Sequence, residues 1–229
     1  MVEKWYEESK VKTCGNLDDL FELWITAHRE EGNSYDGYKT EKVCKRSFTV
    51  DGFLSDKDRF NGILLIAKES NLSQTYENGY ICGDGKTFWL RQAISSAEPV
   101  IVNGSGTRFI NGLAVICNGV TYRDDPNFSI ERDCLKNSAY MNLNKRGGFS
   151  SSKIKSINAY VCYYKQFIAK EIELINPSII VCCGSGVEEM VRKALEGTSL
   201  ANMTIISADH PSCRKSYCER LGNLKKQLK

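Results

Sequence analysis

Residues 175–197 read INPSIIVCCGSGVEEMVRKALEG, and this stretch decides the fold. The run SIIVCC has the length and the β-branched composition of a buried strand. A GSG turn follows it, and the next residues have the spacing of an amphipathic helix, with Ser185 and Glu188 in capping-box register and Gly197 as a stop. A strand that runs directly into a helix predicts one half of a strand–helix–strand unit.

Similar segments extend this unit in both directions. The stretch 157–175 carries one apolar stripe at helical spacing and ends at Asn176-Pro177. Three more short apolar segments resemble buried strands, namely GILLIA (62–67), SAYMNL (138–143) and MTIIS (203–207). Strands that alternate with helices imply right-handed crossovers, so the sequence predicts a three-layer α/β/α fold with a central four-stranded parallel sheet.

Three further helices complete the predicted fold. The stretch NLDDLFELWITAHREE (16–31) has Asn16 as a cap and apolar residues at helical spacing, and we expect His28 on the surface of this helix. The stretch RFINGLAVICNGVTYR (108–123) favours a helix for the same reason, and residues 217–228 form a closing amphipathic helix.

The composition is that of an ordinary globular protein. The 229 residues are 41% hydrophobic and 26% charged, which is enough to bury one core, so we expect a single domain over residues 1–229. No segment approaches 18 consecutive apolar residues, and the start MVEKWYEESK lacks a secretory or transit signal. The sequence therefore predicts a cytoplasmic protein without a membrane partner.

Ten cysteines are spread over the whole chain, and no two have the CxxC spacing. In a chain of this size without a signal segment they are expected to be reduced thiols. We therefore predict no metal site and no cofactor.

The net charge of +3, from 31 basic and 28 acidic residues, is too small to indicate nucleic-acid binding by itself. The basic residues gather, however, in NKRGG (144–148), HPSCRK (210–215) and NLKKQLK (223–229). This distribution is compatible with one basic face.

Polar residues follow each of the four predicted strands. Ligands bind beyond the carboxyl ends of parallel strands, so these residues are expected to meet in one cleft. They are Lys68, Glu69, Ser70 and Asn71 after the first strand, Asn142, Asn144 and Lys145 after the second, the GSG turn after the third, and ADHPSCR (208–214) after the fourth.

One carboxylate, two amides, a helix N-terminus and a histidine suit the hydrolysis of a nucleobase N-glycosidic bond. In that reaction the sugar becomes oxocarbenium-like, which a carboxylate stabilises while it orients water. The departing base becomes anionic and accepts hydrogen bonds from histidine and asparagine donors.

These motifs, in this order, resemble the uracil-DNA glycosylase superfamily over roughly residues 48–220. FLSDKDRFNGILLIAKESN (53–71) looks like the first strand with its water-activating loop, and AYMNLNK (139–145) is similar to the base-reading motif. INPSIIVCCGSG (175–186) resembles the third strand and its turn, and DHPSCR (209–214) resembles the His-Pro-Ser loop.

The resemblance implies a role for each matched residue. Glu69 and His210 are the catalytic pair, Glu69 at the position that orients water and His210 at the position that stabilises the departing base. Asn142, with Asn144 as the register alternative, reads the flipped base. The base-stacking aromatic is assigned to Tyr80 or Trp89. Contacts to phosphate and to the vacated base stack are expected from Ser185, Ser212, Cys213, Arg214 and Lys145.

The sequence also departs from the family pattern. Ser70 replaces the proline of the best-known members, Lys68 stands beside the carboxylate, and the cysteine spacing of iron–sulfur members is missing, so we infer no cluster. The loop after the first motif is long and glycine-rich, which points away from plain uracil and toward other deaminated bases or hypermodified phage cytosines.

The expected function is therefore that of a monofunctional DNA glycosylase, with DNA as its partner and no obligate protein partner. Two alternatives stay open at this point. One is a non-catalytic nucleic-acid-binding module, and the other is a nucleoside or nucleotide N-glycosidase of the same fold.

Overall fold

The structure is a computed structural model, and it describes residues 6–31, 48–71, 90–91, 94, 105–122, 132–148 and 152–228. Within these ranges the strands are β1 (Gly52–Phe53), β2 (Ile63–Asn71), β3 (Ala139–Gly148), β4 (Ile179–Cys183) and β5 (Ile205–Ala208). The helices are α1 (Glu8–Thr13), α2 (Leu17–Glu31), α3 (Ser105–Thr121), α4 (Arg132–Lys136), α5 (Ile154–Ile175), α6 (Val187–Leu195) and α7 (Tyr217–Gln227).

The strands form one mixed sheet in the order β1-β3-β2-β4-β5. All four strands expected from the sequence are present, and each pairs in parallel with its neighbour. The prediction of a four-stranded parallel sheet is nevertheless wrong, because β1 adds a fifth strand that pairs antiparallel with β3. A strand of two residues is too short to produce an alternating pattern, so β1 could not be predicted from hydrophobicity.

Helices cover both faces of this sheet, an arrangement compatible with the expected three-layer α/β/α fold. Apolar residues of α1, α2, α5 and α6 form one core with the first face. Apolar residues of α3, α4 and α7 form a second core with the opposite face. Side chains that alternate along β2 and β3 therefore enter different cores.

Two of the predicted helix ends are confirmed and one is wrong. The side chain of Asn16 caps α2, because its Oδ1 accepts from the backbone N–H of Asp19 at 2.9 Å. Helix α5 ends where Asn176 adopts φ 52°, directly before Pro177. Helix α6, by contrast, has Gly186 as its N-cap with φ 78° and no side-chain cap, so Ser185 does not form the expected capping box.

His28 is buried, contrary to the surface position expected for it. Its side chain is 7% exposed, and Nε2 lies 2.8 Å from the hydroxyl of Tyr160 on α5. The histidine continues the apolar stripe of α2, which α5 and Phe48 cover. A partner for its ring nitrogen explains how this polar side chain is accommodated in the core.

Side chains of two neighbouring helices bind the backbone at the edge of β5. Gln227 at the end of α7 accepts from the backbone N–H of Ser207 at 2.8 Å and donates to its carbonyl at 2.7 Å. Arg192 of α6 donates to the carbonyl of Ile205 at 3.4 Å. The closing helix thus satisfies backbone groups that point away from the sheet.

No helix in the described part of the chain is long and apolar enough to cross a membrane.

Candidate active site

The carboxyl ends of β2 and β3 bring Glu69 and Asn144 together. The two residues are register partners in the parallel ladder, and Nδ2 of Asn144 donates to Oε2 of Glu69 at 2.9 Å. Asn144 is fully buried, and its Oδ1 accepts from the backbone N–H of Arg146 at 3.1 Å. Both ends of this amide are engaged, so we assign Asn144 to holding Glu69 in place.

Asn142 lies one side chain deeper on the same face of β3. Its Oδ1 accepts from the hydroxyl of Tyr140 at 2.9 Å, and its backbone N–H donates to Asp51 at 2.6 Å. Tyr140 thus holds the side-chain amide that the sequence assigns to base recognition, and Asp51 holds the backbone of the same residue.

His210 lies in the loop between β5 and α7. Its Nδ1 accepts from the backbone N–H of Ser212 at 3.2 Å, and its carbonyl accepts from Cys213 N–H at 2.8 Å. Asp209 anchors the start of the loop, since its carboxylate accepts from Lys215 at 2.6 Å. With Nδ1 as an acceptor, the neutral ring carries its proton on Nε2, which is thus the donor available to a ligand.

The pKa of His210 is lowered from its usual range. Partial burial of the ring is the main cause, and the positive charges of Lys68 and Arg220 add to it. The imidazole is therefore neutral at physiological pH, so it acts as a hydrogen-bond donor and not as a cation.

Phe109 connects the ring of His210 to that of Tyr140, near the start of β3. The ring centroid of Phe109 on α3 lies 6.0 Å from that of His210 and 6.2 Å from that of Tyr140. On the other side of the imidazole lies Gly184, where an added Cβ would be 3.5 Å from Cδ2 of the histidine. The imidazole is thus placed between helix α3 and the turn that follows β4.

The backbone of the His210 loop is in direct contact with α3. A Cβ built on Gly112 would overlap the carbonyl oxygen of Pro211, so only glycine allows this approach. Arg220 of α7 is buried and donates to the carbonyl of Gly112 at 3.1 Å. Helices α3 and α7 therefore fix the loop from two sides.

Lys145 does not lie where the sequence predicts it. Its side chain is fully buried, and its Nζ lies 2.5 Å from Asp51 and 2.8 Å from Glu171. The ammonium also lies 5.1 Å from the ring centroid of Trp24. The prediction of a phosphate contact by Lys145 is wrong because the alternation of β3 directs this side chain into the core.

The buried triad of Asp51, Lys145 and Glu171 contains two carboxylates for one ammonium. Burial, and after it the charge of Asp51, raise the pKa of Glu171 well above its usual range, and the charge of Lys145 opposes this effect. We therefore assign a proton to the carboxyl pair, which leaves the triad without net charge.

The other residues expected to contact phosphate lie on loops at the carboxyl ends of β4 and β5. Ser185 is exposed in the turn between β4 and α6, and Arg214 is exposed beyond His210. Ser212 and Cys213, between His210 and Arg214 in the chain, are half-buried. The two candidates for base stacking, Tyr80 and Trp89, lie outside the described residues.

Sequence reasoning missed Tyr140, Phe109 and Gly112. A glycine within an otherwise apolar helical stretch is a usable signal for close packing, and it marks Gly112. Tyr140 and Phe109 read as ordinary core aromatics, because their contacts with Asn142 and His210 depend on tertiary structure.

A separate cleft of about 850 Å³ lies beside α2 and β1. Its lining includes the carboxylates of Asp18, Glu22, Asp56 and Asp58, and it includes neither Glu69 nor His210. An acidic surface of this kind repels a polyanion, so we place the candidate site at the strand ends. No group of three or more potential metal ligands occurs among the described residues.

No protein-family model matches the chain, and no curated protein matches it significantly.

Proposed function

We propose that the protein is a DNA glycosylase that flips a damaged or modified base out of DNA and hydrolyses its N-glycosidic bond. The observation that carries this proposal is the joint geometry of Glu69 and His210. The carboxylate is held by an amide donor, and the imidazole is oriented with Nε2 as its donor, both at the carboxyl ends of the parallel strands of the sheet. This is the end at which open α/β sheets bind ligands.

The two side chains suit the two sides of the bond. As the C1′–N bond breaks, its electron pair goes to the base, and His210 donates a hydrogen bond to the negative charge that develops there. Glu69 stabilises the oxocarbenium-like sugar and accepts a proton from the attacking water. The products are the free base and an abasic site.

The surrounding residues support a DNA substrate. Asn142 reads the flipped base, while Ser185 and Ser212 contact flanking phosphates. Cys213 and the exposed Arg214 fill the space that the base leaves. The proposed substrates are uracil or another deaminated base, or a hypermodified phage cytosine, which connects the protein to DNA repair or phage defence.

The test is a panel of duplexes, each with one candidate base, followed by alkali cleavage at abasic sites. The panel holds uracil, hypoxanthine, 5-hydroxymethylcytosine and glucosylated 5-hydroxymethylcytosine. We expect strand cleavage at one or more of these bases and its loss in His210→Ala. Glu173→Gln, an exposed change on α5, is the matched control and keeps full activity. Absence of cleavage throughout the panel would overturn the proposal.

The salt dependence of binding separates this function from its two alternatives. For a protein that binds duplex DNA, the logarithm of the binding constant falls linearly with the logarithm of the salt concentration. The slope is about −0.9 per phosphate contact. Salt-dependent duplex binding without cleavage would indicate a binding module. Flat binding together with hydrolysis of free nucleosides would indicate a nucleoside N-glycosidase.

A further inference from the structure

Tyr140 lies on the same face of β3 as the two asparagines of the candidate site. Side chains alternate along a strand, so Tyr140, Asn142 and Asn144 all point to the side of the sheet that α3, α4 and α7 cover. From this side Asn144 binds Glu69. The tyrosine is therefore a neighbour of the site and not only a residue of the core.

The hydroxyl of Tyr140 has one hydrogen-bond acceptor in the described part of the chain. It donates to Oδ1 of Asn142 at 2.9 Å, and both side chains are buried. Burial raises the pKa of the phenol well above its usual value, and the charge of Asp51 adds to this effect, so the hydroxyl keeps its proton. A buried hydroxyl hydrogen needs an acceptor, and Asn142 supplies it.

The orientation of the Asn142 amide depends on this contact. A side-chain amide has a carbonyl end that accepts and an NH₂ end that donates, and the two ends are nearly equal in size. A half-turn of the amide would bring the NH₂ end to the hydroxyl of Tyr140, whose hydrogen would then lose its acceptor inside the protein. The hydroxyl thus favours the orientation in which the NH₂ end of Asn142 lies away from Tyr140.

We propose that Tyr140 determines the base specificity of the glycosylase, because its hydroxyl makes Asn142 present a donor to the flipped base. This inference rests on the proposed function. A donor binds the exocyclic carbonyl oxygen of uracil or hypoxanthine, whereas the exocyclic amino group of cytosine or adenine is itself a donor. The substrate class is therefore that of deaminated bases and not that of modified cytosines that keep their amino group.

The test compares two duplexes that differ in one exocyclic group, either uracil and cytosine opposite guanine or hypoxanthine and adenine opposite thymine. The variant is Tyr140→Phe, which removes the hydroxyl and keeps the ring that contacts Phe109. We expect the wild type to cleave the carbonyl base faster than its amino counterpart. In Tyr140→Phe the ratio of the two single-turnover rates falls about 10-fold, because the amide can then turn and accept from an amino group.

Tyr160→Phe is the matched control. The hydroxyl of Tyr160 is also buried, and it lies 2.8 Å from Nε2 of His28 in the core on the other side of the sheet. Both variants remove one buried hydroxyl, so we expect similar losses of stability in thermal unfolding. The ratio of the two cleavage rates changes only in Tyr140→Phe.

The possible failures of the inference and of the proposed function are distinguishable. An unchanged ratio in Tyr140→Phe would overturn the role of Tyr140, and so would a wild-type protein that prefers the amino bases. Either result would leave the proposed glycosylase function intact. A wild-type protein that cleaves none of the bases would instead overturn the proposed function and this inference with it.

Discussion

Glu69 accepts a hydrogen bond from the amide of Asn144, and a neutral donor of this kind affects what the carboxylate can do. An ion pair with Lys68 would cancel the negative charge that an oxocarbenium-like sugar needs. The hydrogen bond from Asn144 orients the carboxylate without neutralising it.

The first prediction concerns Glu69→Gln. If the carboxylate orients water and stabilises the sugar, the variant lowers the single-turnover rate by about 10² to 10⁴ and leaves DNA affinity nearly unchanged. Cleavage kinetics and a binding titration on the same duplex measure the two quantities. Full activity in this variant would remove Glu69 from the mechanism.

The second prediction separates the two parts of the His210 loop. His210→Ala slows cleavage with binding retained, because the donor acts where charge develops on the base. Arg214→Ala weakens binding or flipping, and a mispaired substrate partly restores it because its base is easier to unstack. Rates and affinities on paired and mispaired duplexes test this, and equal defects on both substrates would reduce the loop to a structural turn.

The way in which each residue is positioned decides whether its role could be predicted from the sequence. The order of the motifs is enough to bring Glu69, Asn144 and His210 to one end of the sheet, because parallel strands end at the same edge. Lys145 was misassigned because neighbouring residues on a strand face opposite cores, and the sequence NLNKR does not indicate which face is buried.

At the scale of elements, the contact between α3 and the His210 loop controls the position of the histidine. Gly112 lets the backbone of Pro211 approach the helix directly, and Arg220 binds the carbonyl of that same glycine. A shift of the helix would therefore move the loop.

The third prediction is that Gly112→Ala displaces the loop. The added methyl group overlaps a backbone oxygen, which cannot rotate away, so we expect a loss of about 1–3 kcal/mol in the free energy of unfolding and a marked loss of cleavage rate. The control is Gly222→Ala on α7, which has open space for a Cβ and is expected to gain up to about 1 kcal/mol from helix propensity. Thermal unfolding and cleavage kinetics measure both. Equal behaviour of the two variants would contradict the proposed contact.

The elements themselves were mostly predictable, and their ends less so. The apolar runs marked β2 and β3, but both strands continue beyond the apolar residues, to Asn71 and Gly148, and the residues there pair through their backbones. The apolar pattern stops at the core, whereas the hydrogen bonds continue into the site. The polar ends of these strands therefore could not be read from hydrophobicity.

For the molecule as a whole, the buried triad joins three separate parts of the chain. Asp51 precedes β1, Lys145 belongs to β3, and Glu171 belongs to α5. Asp51 also accepts from the backbone of Asn142, so the triad is continuous with the candidate site. Its protonation contributes to the stability of the entire fold.

The fourth prediction is a pH-dependent effect of Glu171→Gln. The folded-state pKa of Glu171 is raised, so between its ordinary value of 4.5 and that higher value the folded state binds more protons than the unfolded state. The free energy of unfolding therefore falls as pH rises, by at most about 1.4 kcal/mol per pH unit for this group. The glutamine variant lacks this slope, so its stability relative to wild type increases from pH 5 to pH 7.

Urea unfolding at pH 5, 6 and 7 measures this difference. Glu173→Gln, two residues away and 55% exposed, serves as the control and is expected to run parallel to wild type. A Glu171→Gln curve parallel to wild type would mean that Glu171 is ionised in the folded protein.

Gln227 gives the fold a protection against polymerisation. An edge strand with unsatisfied backbone groups is a template on which another chain can add a strand. Strand β5 is at the edge of the sheet. The side-chain amide of Gln227 occupies the N–H and carbonyl of Ser207 as a neighbouring strand would. We therefore expect Gln227→Ala to self-associate at high concentration in light scattering, whereas Lys226→Ala on the same helix stays at the wild-type size. A side-chain amide on the last helix can thus block the addition of a strand at this edge.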